Sequence, residues 1–112
     1  MTQTRMEARE ALMKLRRLFT SGHWTRGRMH RKTLNGEDRY CLVGGLRHVL
    51  GYDPDFGPAN NQNLPVYREA IRVFKAANGG RDPVEYNDSR FSPEHVIEGI
   101  DRAVAVIDQE AK

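Results

Sequence analysis

Cys41 is the single cysteine of the chain, and it stands in the segment Tyr40-Cys41-Leu42-Val43-Gly44-Gly45-Leu46-Arg47-His48-Val49-Leu50-Gly51. A thiol at the start of a helix meets free backbone amides and a partial positive charge, which favour thiolate, so Cys41 is a candidate nucleophile. Nucleophilic catalysis would also need a base, for which His23, His30, His48 and His95 are the choices, and an orienting group such as Asn87 or Asp88. The histidines are scattered, however, and no local signature of a cysteine hydrolase accompanies the thiol. His48 follows Cys41 by seven residues, about two helical turns and beyond hydrogen-bond reach. The alternative is a cysteine that fills space, as free cysteines commonly do. Two glycines inside a helix cost roughly 1 kcal/mol each relative to alanine. Gly44-Gly45 therefore predicts a second element approaching closely, with Cys41 packed at the crossing.

Two further groups of residues carry chemistry. Asn87-Asp88 precedes the last helix, where short polar side chains hold loops by bonding backbone amides. Asp88 is also placed to pair with an arginine or to accept from the Trp24 indole, and the functional alternative is a polar pocket lined by Trp24, Cys41, Asn87 and Asp88. The basic run Arg26, Arg28, Arg31 and Lys32, with Trp24 and Tyr40 nearby, suits phosphate contacts and base stacking. No zinc-finger, helix-turn-helix or RNA-recognition signature accompanies it. Four histidines and one cysteine show no paired ligand spacing, and Asp53-Pro54-Asp55 lacks the rest of a calcium loop, so no metal or other cofactor is expected. Gly44-Gly45 lacks the Lys-Ser/Thr that follows a phosphate loop.

The elements that must position these residues read as helices. Thr4-Arg5-Met6-Glu7 fits a capping box. Ala8, Ala11, Leu12, Leu15, Leu18 and Phe19 then recur at helical spacing, predicting a first helix over about 5–21 with Gly22 as its stop. Arg9, Lys14, Arg16 and Arg17 flank that stripe. Residues 23–38 lack a helical period, and Asn35-Gly36 predicts a short ribbon of about 28–34 with 37–40. A second helix is expected over about 39–50 and a Pro/Gly/Asn-rich loop from Asp53 to Leu64, including Asn60-Asn61-Gln62-Asn63. The third helix is expected over about 64–78, capped by Asn63, with Val66, Tyr67, Ala70, Ile71, Phe74 and Ala77 as its stripe. Residues 81–91 form a connector without clear period. Ser92-Pro93-Glu94 opens the last helix, which runs to about 110 with Val96, Ile97, Ile100, Ala103, Val104 and Ile107 inward.

The predicted fold is mainly α: one domain, 1–112, of four helices, with a short β-hairpin between helices 1 and 2. No run approaches the roughly 18 apolar residues of a membrane span, no secretory pattern opens the chain, and a lone cysteine makes a reducing cytoplasm the expected compartment. Charge is uneven. Residues 1–48 carry eleven Lys/Arg against four acids, a net of +7, and residues 49–112 carry seven against eleven, a net of −4. Such a split marks an anionic partner for the first half, attraction between the halves, or simply solvated faces.

Several motifs occur in a telling order: Gly22-His23-Trp24 after an amphipathic helix, Tyr40-Cys41-Leu42-Val43-Gly44-Gly45-Leu46, Tyr86-Asn87-Asp88, and a last helix opened by Ser92-Pro93-Glu94. Together they resemble a domain-of-unknown-function family (6197) of actinobacteria and their phages, whose members carry similar Cys-Leu-x-Gly-Ala-Leu and Trp-Asn-Asp segments. The resemblance spans roughly His23 to Ile107, departing at Gly45, where Ala is more usual, and at Tyr86, where Trp is. It implies a bacterial or phage origin and brings no activity with it.

The expected role is non-enzymatic: a small binding or regulatory protein whose partner is a host or phage protein, with no membrane partner. A nucleic-acid binder using Arg26, Arg28, Arg31 and Lys32 is the alternative, and a thiol-dependent enzyme with Cys41 as nucleophile is a third.

Overall fold

The computed structural model describes residues 2–57 and 64–111. The stretch Asn60-Asn61-Gln62-Asn63, with the cap expected at Asn63, lies outside the described residues. In chain order the elements are α1 (Gln3–Thr20), β1 (His30–Lys32), β2 (Asp38–Tyr40), α2 (Leu42–Val49), α3 (Leu64–Ala77), α4 (Pro83–Asp88) and α5 (Pro93–Glu110). The protein is mainly helical, with the hairpin between the first two helices.

α1 is the element on which α2, α3 and α5 pack. Its buried residues, Ala8, Ala11, Leu12, Leu15 and Phe19, recur every three or four positions and so fall on one face. They meet Val66, Ala70, Val73 and Phe74 of α3 and Val96, Ile100, Ala103, Val104 and Ile107 of α5 in a single apolar cluster. Arg9 forks onto Asp108 at 2.7 and 3.2 Å, and Arg16 onto Asp101 at 2.7 and 3.4 Å, binding the outside of α1 to α5. Arg5 pairs with Glu69 and Glu110. Part of the basic first half is thus matched internally by the acidic second half.

Several boundaries move from their predicted places. α1 starts at Gln3 because the hydroxyl of Thr2, rather than that of Thr4, accepts from a free amide, Arg5 N, at 3.1 Å. Glu7 then takes a hydrogen bond from Gln3 within the helix instead of closing a capping box. α2 starts three residues later than 39, because residues 38–40 pair with β1 in the register His30 to Tyr40, Arg31 to Arg39 and Lys32 to Asp38. The Tyr40 amide donates to His23 O and its carbonyl accepts from Thr25 N, so neither is left for a helix. The hairpin turn occupies 33–36, closed by Gly36 N to Thr33 O at 2.9 Å, with Gly36 at φ +81° as the left-handed residue of a three-residue loop.

The connector 81–91 contains a fifth helix, α4. Six residues are too few for periodicity to register, but the local signals are present. The carboxylate of Asp82 accepts from Val84 N and Glu85 N, and Pro83 stands at the first helical position.

Gly44 and Gly45 explain how α2 fits. A Cβ at 45 would lie 2.7 Å from Leu15 Cδ1, so this glycine lets α2 press onto α1. A Cβ at 44 would lie 1.8 Å from the carbonyl oxygen of Met29, so its partner is the backbone of the loop leading into β1.

Candidate functional site

Trp24, Asn87 and Asp88 come together around the end of α4, and Cys41 adjoins them through its neighbour Leu42, while its own thiol bonds Met29 and Gly44. Asn87 is completely buried. Its Oδ1 accepts from the Trp24 indole at 2.8 Å and from Leu42 N at 3.1 Å, and its Nδ2 donates to Thr25 O at 3.1 Å. Asp88, exposed, accepts from Gly27 N at 2.8 Å. These two side chains therefore fix the 24–27 loop and the first turn of α2 to α4. Every polar atom of the Asn87 amide is used in doing so, which is what burial of a primary amide requires.

Cys41 is the N-cap of α2. Its Sγ accepts from Gly44 N at 3.4 Å and donates to the Met29 thioether at 3.4 Å. Burial pushes the thiol above its ordinary 9.0, more strongly than the hydrogen bonds from the helix amides lower it. A reactive cysteine needs the reverse balance, together with access and a base. The histidines engage elsewhere: Nδ1 of His23 bonds Asp38 O at 2.7 Å, Nε2 of His30 bonds the Asp38 carboxylate at 2.8 Å, and His48 stacks on Tyr40 with centroids 4.5 Å apart. His95 lends its carbonyl to Tyr86 OH at 3.2 Å. None of the four bonds the thiol, which is buried and protonated.

The basic run is divided by the fold. Arg26 donates to Arg90 O at 3.1 Å and lies over the exposed Phe91 ring. Arg28 is exposed, and Lys32 is 3.5 Å from Asp38. Arg31 stands directly opposite Arg39, on the hairpin face away from His30 and Tyr40, in front of a depression of about 500 Å³ that reaches the fully exposed Leu34 at the turn.

A second depression, which sequence reasoning missed, lies between α2 and α3 and encloses about 530 Å³. Val43 of α2, Tyr67 and Ile71 of α3, and Val84 of α4 make its floor. Arg68, Arg72 and Lys75 rise along its α3 side and Arg47 along its α2 side. Arg47 is held by Pro54 O at 3.2 Å, Asp55 O at 3.3 Å and the Tyr67 hydroxyl at 3.3 Å, which sets the wall at that end. Asp82 is the acid of the lining, and its carboxylate caps α4. The signal is present in α3: the apolar stripe read from the sequence includes Tyr67 and Ile71, whereas Val73 is fully buried and the 67/71 row stays half-buried at the edge of the core.

Among the described residues no group of three or more His, Cys, Asp or Glu could hold a metal ion, and no helix is long and apolar enough to cross a membrane.

These features define a small helical, hairpin-bearing fold in which Asn87 clasps the 24–27 loop and α2 to α4, and in which the depressions beside the hairpin and between α2 and α3 are lined mainly by cations. The chain belongs to a family of unknown function (DUF6197), which it matches over residues 3–106. No curated protein and no solved structure matches it.

Proposed function

We propose that this is a non-enzymatic binding protein of phage or actinobacterial origin, cytoplasmic, that acts through protein–protein contact at the α2–α3 groove. One observation carries the reading: Tyr67 and Ile71 form a row on α3 that the core covers only in part, Ile71 lining the groove within a rim of cations. An apolar floor ringed by charge is the usual anatomy of a protein contact. The enclosed, protonated thiol supports a packing role for Cys41.

The test is to pan a displayed library of random peptides against the folded protein. Enrichment of peptides whose binding falls on Ile71→Gln, in a variant with unchanged helicity, supports the reading. Peptides indifferent to Ile71→Gln, or no enrichment at all, count against it.

Nucleic-acid binding through Arg26, Arg28, Arg31 and Lys32 is the second reading, favoured by the hairpin. Like charges directly opposite on paired strands destabilise the pair, and Arg31 faces Arg39 on an exposed face. A phosphate between them would relieve that repulsion. Binding of a labelled oligonucleotide should then weaken steeply with salt and fall when Arg31 and Arg39 become glutamine. Salt-independent or absent binding removes it.

A further inference from the structure

We infer that the occupant of the α2–α3 groove is an acidic amphipathic helix supplied by a partner protein, an inference that rests on the groove being the contact surface. The cations set the chemistry. Among the described residues Arg47, Arg68, Arg72 and Lys75 line the groove with Asp82 as the one acid, and Asp82 is engaged with the amides of Val84 and Glu85 at one end. Among the described residues Arg68 and Lys75 make no ion pair, while Arg72 is shared with Glu69 at 2.6 Å. A basic or neutral segment would leave these charges repelled or unmatched, so complementarity calls for carboxylates.

Spacing sets the shape. Residues 68, 72 and 75 recur once per turn, so their Cα positions spread over about 10 Å along the helix axis. A single phosphate or carboxylate cannot reach all three. A helix laid along α3 presents acids at the same one-turn interval, and its apolar stripe falls on a floor with that period, Tyr67 followed by Ile71. The floor also discriminates between linear polyanions. A phosphodiester chain has no apolar face to seat on Val43, Ile71 and Val84. Nor is Tyr67 offered for base stacking: the Arg47 guanidinium lies over its ring, 5.9 Å from the centroid, and Tyr52 packs against it.

The probe is a labelled synthetic helix of about four turns with leucines at i, i+4, i+7 and i+11 and glutamates flanking that stripe, titrated against the intact protein by fluorescence anisotropy. Saturable binding is expected, weakened about tenfold or more by the double change Arg68→Glu with Lys75→Glu, and similarly by Ile71→Gln. Both variants should keep the wild-type circular dichroism. A partner helix with lysine in place of glutamate should recover affinity for the charge-reversed variant. Equal binding of a scrambled peptide of the same composition overturns the helix, leaving only general charge attraction. Tighter binding of an oligonucleotide or of anionic vesicles at the same residues overturns the partner class. If panned peptides bind in an Ile71-dependent way but are neither acidic nor helical, the occupant is wrong and the groove stands; if no panned peptide depends on Ile71, the groove itself fails.

Discussion

The indole N–H of Trp24 donates to Oδ1 of Asn87 at 2.8 Å, joining residues 63 positions apart in the chain. Because the same oxygen also accepts from Leu42 N and the amide nitrogen donates to Thr25 O, one buried side chain locks three segments together. Removing it strands two donors and an acceptor away from water. Asn87→Ala is therefore expected to lower stability by about 3 kcal/mol. Trp24, the only tryptophan, should report the loss as a red-shifted emission in the native baseline of a urea titration. An unchanged midpoint would show that the clasp contributes nothing.

Glycine replacement in α2 should invert the ordinary helix scale. In an isolated helix Gly→Ala adds stability, up to about 1 kcal/mol. Here Gly44→Ala puts a methyl against the Met29 carbonyl, which belongs to the backbone and cannot swing aside, so a loss of about 2 kcal/mol or more is expected. Gly45→Ala meets the end of Leu15, a side chain that can rotate, and should cost less. Gly45→Leu should prevent folding. Thermal melts of the three variants decide the order, and Gly45→Ala melting below Gly44→Ala contradicts it.

Alkaline pH should weaken the fold. Burial raises Cys41 above its ordinary 9.0, and burial followed by the Asp38 charge raises Tyr40 above 10.0. The folded state then keeps protons that the unfolded chain releases. The stabilisation is whole below the unfolded values and is lost as pH rises through the folded ones. Urea midpoints should fall from about pH 9 upward, and Cys41→Ala, costing about 1–2 kcal/mol near neutrality, should lack the earlier part of that fall. An identical pH slope in the variant is the contrary result. Iodoacetamide should modify the native thiol no faster than free cysteine at neutral pH.

On the acid side, the hydrogen bond from His30, with a smaller contribution from Lys32, holds the Asp38 carboxyl below its ordinary 3.8. Its contribution to stability is present above the unfolded value and is lost as pH falls through the folded one. Carboxyl titration by nuclear magnetic resonance should place Asp38 nearer to 3.8 in His30→Ala. No movement would mean that the contact at 2.8 Å is not maintained in solution.

The long amphipathic helices are legible because their apolar residues repeat with the helical period over about three turns, as Ala8 to Phe19 and Val96 to Ile107 do. α4 is not, since six residues carry less than two turns of pattern, although Asp82-Pro83 marks its start. A cluster of Trp24, Cys41, Asn87 and Asp88 is one of two readings the sequence offers, and the structure bonds Trp24 to Asn87 while the Cys41 thiol turns to Met29 and Gly44. The closed character of the cluster is not legible, because saturation of the Asn87 amide depends on backbone groups of Leu42 and Thr25 brought in from elsewhere.

The sequence by itself determined the four longer helices, though not α4, that a hairpin follows the first helix, and that Gly44-Gly45 marks a close approach. These are local properties of period, turn chemistry and side-chain size. Only the tertiary structure decided that Gly44 faces the Met29 carbonyl and Gly45 the Leu15 side chain. It alone decided that Val73 rather than Tyr67 or Ile71 is fully buried in the core. The physical reason is the same in each case. Periodicity says that a face is apolar, but which part of that face is covered depends on where the neighbouring helices lie, and on α3 they cover the row that lines the groove only in part.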